Sequence, residues 1–229
     1  EECSHIAVFA PPSLEKNPEF IHMAKVLAEH SILAPIVIVA DIEQGFMLLS
    51  DLGDQQLMPL LTADQVDAWY KKALDSLVQL QGINEAQSQL PPYDRAVLQR
   101  EMDLLPEWFA TKLLGLPWAV EQQSAFEATC TQLVASALTE KQVVVHRDYH
   151  CRNLMVVDDQ IAMIDFQDAL WGPACYDVVS LLKDCYVRWP REQVLGWLRY
   201  YHDAVGEADT LSFEARVKQF DFIGLQRHI

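Results

Sequence analysis

The order of apolar and polar positions divides this chain into a short strand-rich part and a longer helical part. Residues 6–10 are an apolar run that ends at a pair of prolines, which predicts a strand, and residues 18–30 then show helical spacing. Residues 36–39 are β-branched and residues 45–50 are mainly apolar, so with the polar turn between them they predict a hairpin. The first fifty residues therefore predict a small sheet with one helix.

An apolar stripe predicts the first long helix of the second part. Its members recur at three- and four-residue steps, and Asp64 stands where an N-cap is expected. The stripe comprises Val66, Trp69, Ala73, Leu74, Leu77 and Leu80.

The rest of the chain combines further helical patterns with two short strands. Residues 143–145 and 161–164 are apolar and predict buried strands, and residues 82–93 are a polar loop with adjacent prolines. The predicted helices cover residues 95–114 and 121–139 and resume near residues 174, 191 and 213.

Composition limits the partners that we expect. The chain has 17 basic and 33 acidic residues, a formal charge of -16, and no run of Lys and Arg. Because nucleic-acid binding relies on clustered positive charge, nucleic acid is not an expected partner. With 51% hydrophobic and 22% charged residues, the composition is that of a globular protein that buries a core.

Cysteine usage and the lengths of the apolar runs predict a soluble, cytoplasmic protein. The five cysteines are scattered without paired spacing, which favours reduced thiols over a disulfide framework. Residues 32–40 form the most apolar stretch, which is too short to span a bilayer and contains Pro35. No signal peptide is evident, and no membrane is expected.

Residues 146–168 carry the clearest chemical signal. A His-Arg-Asp triplet ends at Asp148, Asn153 stands five positions later, and Asp165 comes at the end of the next predicted strand. Phosphoryl transfer from ATP needs a carboxylate at the attacking hydroxyl and oxygen ligands for the Mg²⁺ that bridges the phosphates. This spacing is that of kinase active sites, and it predicts Asp148 as the catalytic carboxylate and Asn153 and Asp165 as metal ligands.

Neighbouring polar residues have functional and structural interpretations. We interpret His146 as a core residue that fixes the loop by hydrogen bonding in preference to a catalytic role. His146 and His150 beside Cys151 also have spacing compatible with zinc, but no second ligand cluster accompanies them. Arg152 either neutralises phosphate or substrate charge or lies on the surface, and Asp168 is interpreted as a cap or turn residue in preference to a ligand.

Four stretches carry a resemblance to a known superfamily over most of the chain. They are MLLSDLGD at residues 47–54, the loop at 146–153, IDFQ at 164–167 and GPACYD at 172–177. They resemble the aminoglycoside phosphotransferase and choline kinase superfamily. The resemblance implies an α+β, two-lobed protein-kinase-like fold with a small β-rich N-terminal lobe, a larger mainly helical C-terminal lobe, and ATP and Mg²⁺ as cofactors.

The same resemblance assigns the lobes and further site residues. Residues 1–50 are expected to be an N-terminal lobe without its glycine-rich hairpin, and residues 51–229 the C-terminal lobe, with a hinge near residues 49–53. Asp177 is expected to be a buried helix residue that braces the catalytic loop. The hinge residues expected to bind the nucleotide are Leu49, Ser50, Asp51 and Leu52.

Longer stretches carry a closer resemblance. They include APPSLEKNPEF, FMLLSDLGD, LLPEWF, HRDYHCRNLMV and FDFIGLQRH. These are similar to bacterial N-acetylmuramate/N-acetylglucosamine anomeric kinases, which implies formation of a sugar 1-phosphate from ATP in the recycling of cell-wall peptidoglycan.

The chain also departs from the superfamily pattern. The strand at residues 6–10 offers no phosphate-binding lysine, since Lys16 lies beyond the prolines. Gln167 replaces the glycine of the Asp-Phe-Gly motif, which favours a constitutive metabolite kinase over a regulated protein kinase.

The acceptor is the least defined part of the prediction. A sugar pocket combines aromatic faces with carboxylates and amides, although Trp108 fits the helical core equally well. The sequence leaves two alternative functions open. One is a phosphotransferase for an aminoglycoside or a choline-type acceptor, and the other is a pseudokinase that binds nucleotide as an interaction module. The oligomeric state is also open. The substrate candidates are Glu101, Glu107, Trp108, Arg152, Gln167 and Trp171.

Overall fold

The computed structural model describes residues 4–84, 89–206 and 210–229 of the chain. Within these ranges the strand-rich beginning and the helical remainder are both present. None of the described helices is both long and apolar enough to cross a lipid bilayer. Residues 85–88 of the predicted loop, and Cys3, lie outside the described ranges.

The first part of the chain is a three-stranded antiparallel sheet with one helix. The central strand β3 (Phe46–Ser50) pairs with β1 (His5–Phe9) on one side and with β2 (Val37–Asp41) on the other. Helix α1 (Asn17–Glu29) follows β1, and its Leu27 is fully buried in the main core. The predicted strand, helix and hairpin are all confirmed.

Four short strands lie within and beside residues 146–168 in the second part. β4 (Gln142–Val145) pairs with β7 (Leu170–Pro173), and β5 (Leu154–Val157) pairs with β6 (Gln160–Met163), both antiparallel. Of these, β4 and β6 are the strands that the sequence predicts. The prediction misses β5 and β7 because a four-residue segment has no clear period of its own, so its pairing depends on a partner strand.

Most of the second part is helical, and α2 illustrates how an apolar face packs a helix into the core. Ala73, Leu74 and Leu77 of the predicted stripe have no exposed surface, whereas Trp69 is half-buried and the adjacent Tyr70 is fully buried instead. Helix α2 packs against α6, and α4 packs against α7. The helices are α2 (Val66–Gln81), α3 (Arg95–Met102), α4 (Val120–Thr139), α5 (Cys175–Leu182), α6 (Arg191–Val205) and α7 (Phe213–His228).

The predicted N-cap of α2 is wrong. Helix α2 begins at Val66 with Gln65 as its N-cap, and no side chain caps it. The backbone N–H groups of Gln65 and Val66 both bond to the carbonyl of Thr62, at 3.1 and 2.9 Å. Asp64 therefore lies inside a preceding turn, where its side chain cannot act as an N-cap.

The long helix predicted at residues 95–114 is divided in two. Helix α3 ends at Met102, and a π-helical segment covers Leu105–Leu113. Pro106 stands near the start of this second segment. A proline has no backbone N–H to donate and clashes with the preceding turn, so it is tolerated in the first turn of a helix but not in its interior.

Candidate active site

Asn153 lies between the two carboxylate residues that the sequence singles out. Its Nδ2 donates to the backbone oxygen of Asp148 and to Oδ2 of Asp165, both at 3.1 Å. The other oxygen of Asp165 accepts from Nε2 of Gln167 at 2.7 Å. Asp148 and Asp165 are both exposed, so a substrate in solution can reach them.

Strand ends bring these residues together. Asp148 and Asn153 lie in the loop between β4 and β5, and Asp165 follows β6, the antiparallel partner of β5. The backbone N–H of Ile164 donates to the carbonyl of Asn153 at 3.1 Å, which joins the two segments. Asp165 has a φ of 68°, a left-handed conformation that costs a non-glycine residue about 1–2 kcal/mol. A sharp change of chain direction therefore follows β6.

His146 is a buried structural contact of the loop. Its Nε2 lies 3.0 Å from the carbonyl oxygen of Ile164. Burial lowers the pKa of His146 to about 4, so the ring is neutral at neutral pH and Nε2–H can donate to that carbonyl. This is the loop-fixing hydrogen bond that the structural interpretation expects.

Asp177, fully buried in α5, holds the backbone that leads into Asp148. Its carboxylate accepts the backbone N–H groups of His146 at 2.6 Å and of Arg147 at 3.0 Å. Burial raises the pKa of Asp177 to about 7. The resemblance implies a bracing residue at this position, and these bonds connect α5 to the loop that carries Asp148.

Glu101, a substrate candidate, is bound to protein groups. Its Oε1 accepts from Nη2 of Arg147 at 2.6 Å, and its Oε2 accepts from the hydroxyl of Tyr93 and, at 3.4 Å, from Nε2 of Gln226. Both carboxylate oxygens are thus engaged. Glu101 is connected to the candidate site through its bond to Arg147, which directly precedes Asp148 in the chain.

The other substrate candidates differ in whether they contact the predicted metal ligands. Gln167 contacts Asp165 directly. Trp171 lies half-buried in β7, where it pairs with Val144 of β4, and its backbone bonds to Pro91 and Tyr93.

Three further candidates contact other residues. The guanidinium of Arg152 lies 4.8 Å from the ring centroid of Tyr186. The ammonium of Lys112 lies 3.6 Å from the ring centroid of Trp108 and pairs with Glu107 at 2.9 Å. None of these contacts involves Asp148, Asn153 or Asp165.

Lys16 approaches the site although it follows the prolines that end β1. Its Nζ lies 2.5 Å from Oδ1 of Asp168, and one turn further along α1 the ring of Phe20 stacks on Phe166 with centroids 4.9 Å apart. Sequence reasoning misses the Lys16 contact because the partners are 152 positions apart and no local pattern joins them.

The predicted nucleotide-binding residues lie where the chain leaves the sheet. Leu49 is buried in β3, and the hydroxyl of Ser50 accepts the backbone N–H of Ile36 at 2.8 Å. Oδ1 of Asp51 accepts a backbone N–H two residues further on, and Leu52 is half-buried. These residues therefore span the end of β3 and the start of the segment that leaves it.

The donor set around Asn153 suits a hard divalent cation. Asp165 offers carboxylate oxygens and Asn153 an amide oxygen, which are ligand types that Mg²⁺ prefers. Each oxygen of Asp165 accepts from a side-chain amide, so a cation would replace these two donors. Rotation of the Asn153 amide would then present its oxygen, and the residues present fit Mg²⁺.

Comparison with known proteins identifies the family of the chain. The phosphotransferase enzyme family matches residues 6–213. The chain is 38% identical over 229 residues to the N-acetylmuramate/N-acetylglucosamine kinase of Pseudomonas putida, covering 99% of this chain and 67% of that protein. It is 40% identical to the protein of the same name from Pseudomonas aeruginosa, covering 99% of this chain and 68% of that protein.

Solved structures share the fold at low identity. An ethanolamine kinase of Plasmodium vivax superposes with a TM-score of 0.71 at 12% identity, over 98% of this chain and 67% of that one. The aminoglycoside phosphotransferase APH(2'')-Ib with ADP bound gives 0.65 at 15% identity, over 97% and 86%. The predicted kinase family and α+β fold are thereby confirmed: the chain belongs to the phosphotransferase enzyme family.

Proposed function

We propose that this protein transfers the γ-phosphoryl group of ATP to the anomeric hydroxyl of N-acetylmuramate or N-acetylglucosamine. The observation that carries the proposal is the position of Asn153, within 3.1 Å of both the Asp148 backbone and the Asp165 carboxylate. The two Pseudomonas relatives, which are named for these sugars, support the choice of acceptor.

The proposed reaction assigns one role to each of the three residues. Asp148 accepts the proton of the sugar hydroxyl as the oxygen–phosphorus bond forms and the bond between the γ-phosphorus and ADP breaks. Asn153 and Asp165 would hold Mg²⁺, which when bound neutralises the charge on the phosphates. The products are a sugar 1-phosphate and ADP.

The proposed nucleotide site is the connection at residues 49–53. We assign residues 1–50 and 51–229 to the two lobes and expect the adenine to lie against residues 49–52. The stacking of Phe20 on Phe166 supports the assignment of two packed lobes, because it joins α1 of the first part to the segment that carries Asp165. Among the acceptor candidates, Gln167 donates a hydrogen bond to Asp165, the proposed metal ligand.

We propose the cytoplasm as the compartment and cell-wall recycling as the context. ATP is a cytoplasmic donor, and the four cysteines in the described ranges are free thiols, as expected in a reducing compartment. They are Cys130, Cys151, Cys175 and Cys185.

An ADP-release assay with Mg²⁺ over a panel of acceptors tests the proposal. We expect turnover with N-acetylmuramate or N-acetylglucosamine and a product whose phosphate is released by mild acid, as for an anomeric phosphate. Turnover with kanamycin-like compounds or choline alone would replace the sugar with another acceptor. Nucleotide binding without turnover on any acceptor would indicate a pseudokinase.

A further inference from the structure

The peptide that joins Arg147 to Asp148 is held by a residue from the far end of the chain. Nη1 of Arg227, in α7, donates to the backbone oxygen of Arg147 at 2.9 Å. The Asp177 carboxylate accepts the backbone N–H of Arg147 at 3.0 Å, so Arg147 is held at both its N–H and its carbonyl.

The backbone of Arg147 needs such support because of its conformation. Its φ is 77°, in the left-handed region that a non-glycine residue rarely adopts. Residues in such conformations persist only where the surrounding structure fixes them, and they cluster at functional sites. If the carbonyl of Arg147 were released, the chain could relax, and the first group to move would be the adjacent Asp148.

Arg227 also belongs to a closed ring of contacts. Its guanidinium lies 4.4 Å from the ring centroid of Tyr176, whose ring lies 5.0 Å from that of Tyr93. The Tyr93 hydroxyl bonds to Glu101, and Glu101 bonds to the guanidinium of Arg147 at 2.6 Å. The ring returns to Arg147 and thereby fixes both its side chain and its carbonyl.

We propose that Arg227 is a positioning residue for phosphoryl transfer, which orients Asp148 by holding the carbonyl of Arg147. This inference rests on the proposed function, because it presumes that Asp148 is the catalytic carboxylate. Arg227 itself touches neither the metal-binding residues Asn153 and Asp165 nor, in this proposal, the substrates.

The test compares Arg227→Met with Lys218→Met, which removes a cation from an exposed position of the same helix. We expect Arg227→Met to lower kcat about 10- to 100-fold, since small misplacements of a catalytic group have effects of that size. The KM values for ATP and sugar, and the affinity for nucleotide, should stay within about threefold. Lys218→Met should match the wild type, and Arg227→Lys, which keeps a cationic donor, should recover part of the lost kcat.

The outcomes separate this proposal from the proposed function. If the wild type phosphorylates an acceptor and Arg227→Met retains its kcat, or falls no further than Lys218→Met, Arg227 is not a positioning residue although the enzyme is a kinase. If Arg227→Met does not fold, Arg227→Gln decides in its place, and a wild-type kcat there overturns the proposal. If the wild type phosphorylates no acceptor, the proposed function fails and this inference fails with it.

Discussion

The Asp177 carboxylate accepts the backbone N–H of Arg147 at 3.0 Å across 30 positions of sequence. The same carboxylate accepts the N–H of His146, so two successive peptides before Asp148 are fixed by one buried side chain of α5. Helix α5 therefore fixes the direction in which the loop that carries Asp148 leaves β4. A substitution can alter either the proposed reacting groups or the side chains that hold the loop in place. These two kinds of substitution should have different effects on kcat and on nucleotide affinity.

Asp148→Asn removes the proposed proton acceptor while keeping the shape of the side chain. We expect kcat to fall by about 10²- to 10⁴-fold, the usual contribution of a general base, with nucleotide affinity nearly unchanged. Steady-state kinetics and a nucleotide-binding titration measure the two quantities. Asp158→Asn, at the exposed turn between β5 and β6, makes the same chemical change away from the site and should behave as the wild type. Wild-type turnover in Asp148→Asn would remove Asp148 from its assigned role.

Asp165→Asn tests the proposed metal ligand. Asparagine tolerates the left-handed backbone of residue 165 better than alanine does, so the variant should fold, but it lacks the negative charge that attracts Mg²⁺. We expect the affinity for Mg²⁺·nucleotide to fall at least about tenfold, and the Mg²⁺ concentration needed for half-maximal rate to rise. This differs from Asp148→Asn, in which binding is preserved. Equal loss of rate at every Mg²⁺ concentration would argue against coordination by Asp165.

Local patterns predict this site because its chemistry lies within one short segment. Asp148, Asn153 and Asp165 are separated by five and twelve positions, and the strands on either side bring them together. The short spacing in sequence makes the motif recognisable and indicates the reaction type, although the pairing of β5 with β6, which the sequence does not predict, is what brings the residues together.

The long-range contacts that hold the site in place cannot be predicted from local patterns in the same way. Arg227 meets Arg147 across 80 positions, and Lys16 meets Asp168 across 152. Such pairs follow from how α1 and α7 pack in the folded chain, and a single sequence shows no pattern that links them. The substrate candidates show the same dependence on packing, since Glu101 is a residue type that binds sugar hydroxyls but in the folded chain its carboxylate bonds to Arg147.

Stability should depend on pH through Asp177. Burial raises its pKa from an ordinary value of 3.8 to about 7, so the folded state binds the proton more tightly than the unfolded state. The stabilisation from this group is therefore fully present below pH 3.8 and is lost as the pH rises to about 7. Relative to Asp177→Asn, the wild type should lose on the order of a few kcal/mol of unfolding free energy between pH 4 and 7.

Urea unfolding of both proteins at a series of pH values measures this difference. His146 titrates over an overlapping range with the opposite sign, since burial lowers its pKa to about 4 and its stabilisation is lost as the pH falls below 6.5. Both proteins contain His146, so its contribution cancels in the comparison. Parallel stability curves for the wild type and Asp177→Asn would show that Asp177 does not titrate in this range.

Gly172 permits the close approach of β7 to the segment before α3. A Cβ at this position would lie 2.8 Å from Cβ of Tyr93, and the neighbouring backbone of Trp171 bonds to the N–H of Tyr93 at 2.8 Å, so the two segments cannot easily move apart. We expect Gly172→Ala to lower the free energy of unfolding by about 1–3 kcal/mol through overpacking. Because Tyr93 bonds to Glu101, kcat should fall as well.

Gly196→Ala is the matched control for this substitution. Gly196 lies in the exposed interior of α6, where an added Cβ would meet nothing within 4 Å. Alanine is the better helix former, so this variant should gain about 0.5–1 kcal/mol with unchanged kcat. Chemical denaturation and steady-state kinetics on both variants provide the comparison. If Gly172→Ala were as stable as Gly196→Ala, the contact between β7 and Tyr93 would not require a glycine. If its kcat were also unchanged, the ring of contacts that reaches Arg147 would tolerate a shift at Tyr93.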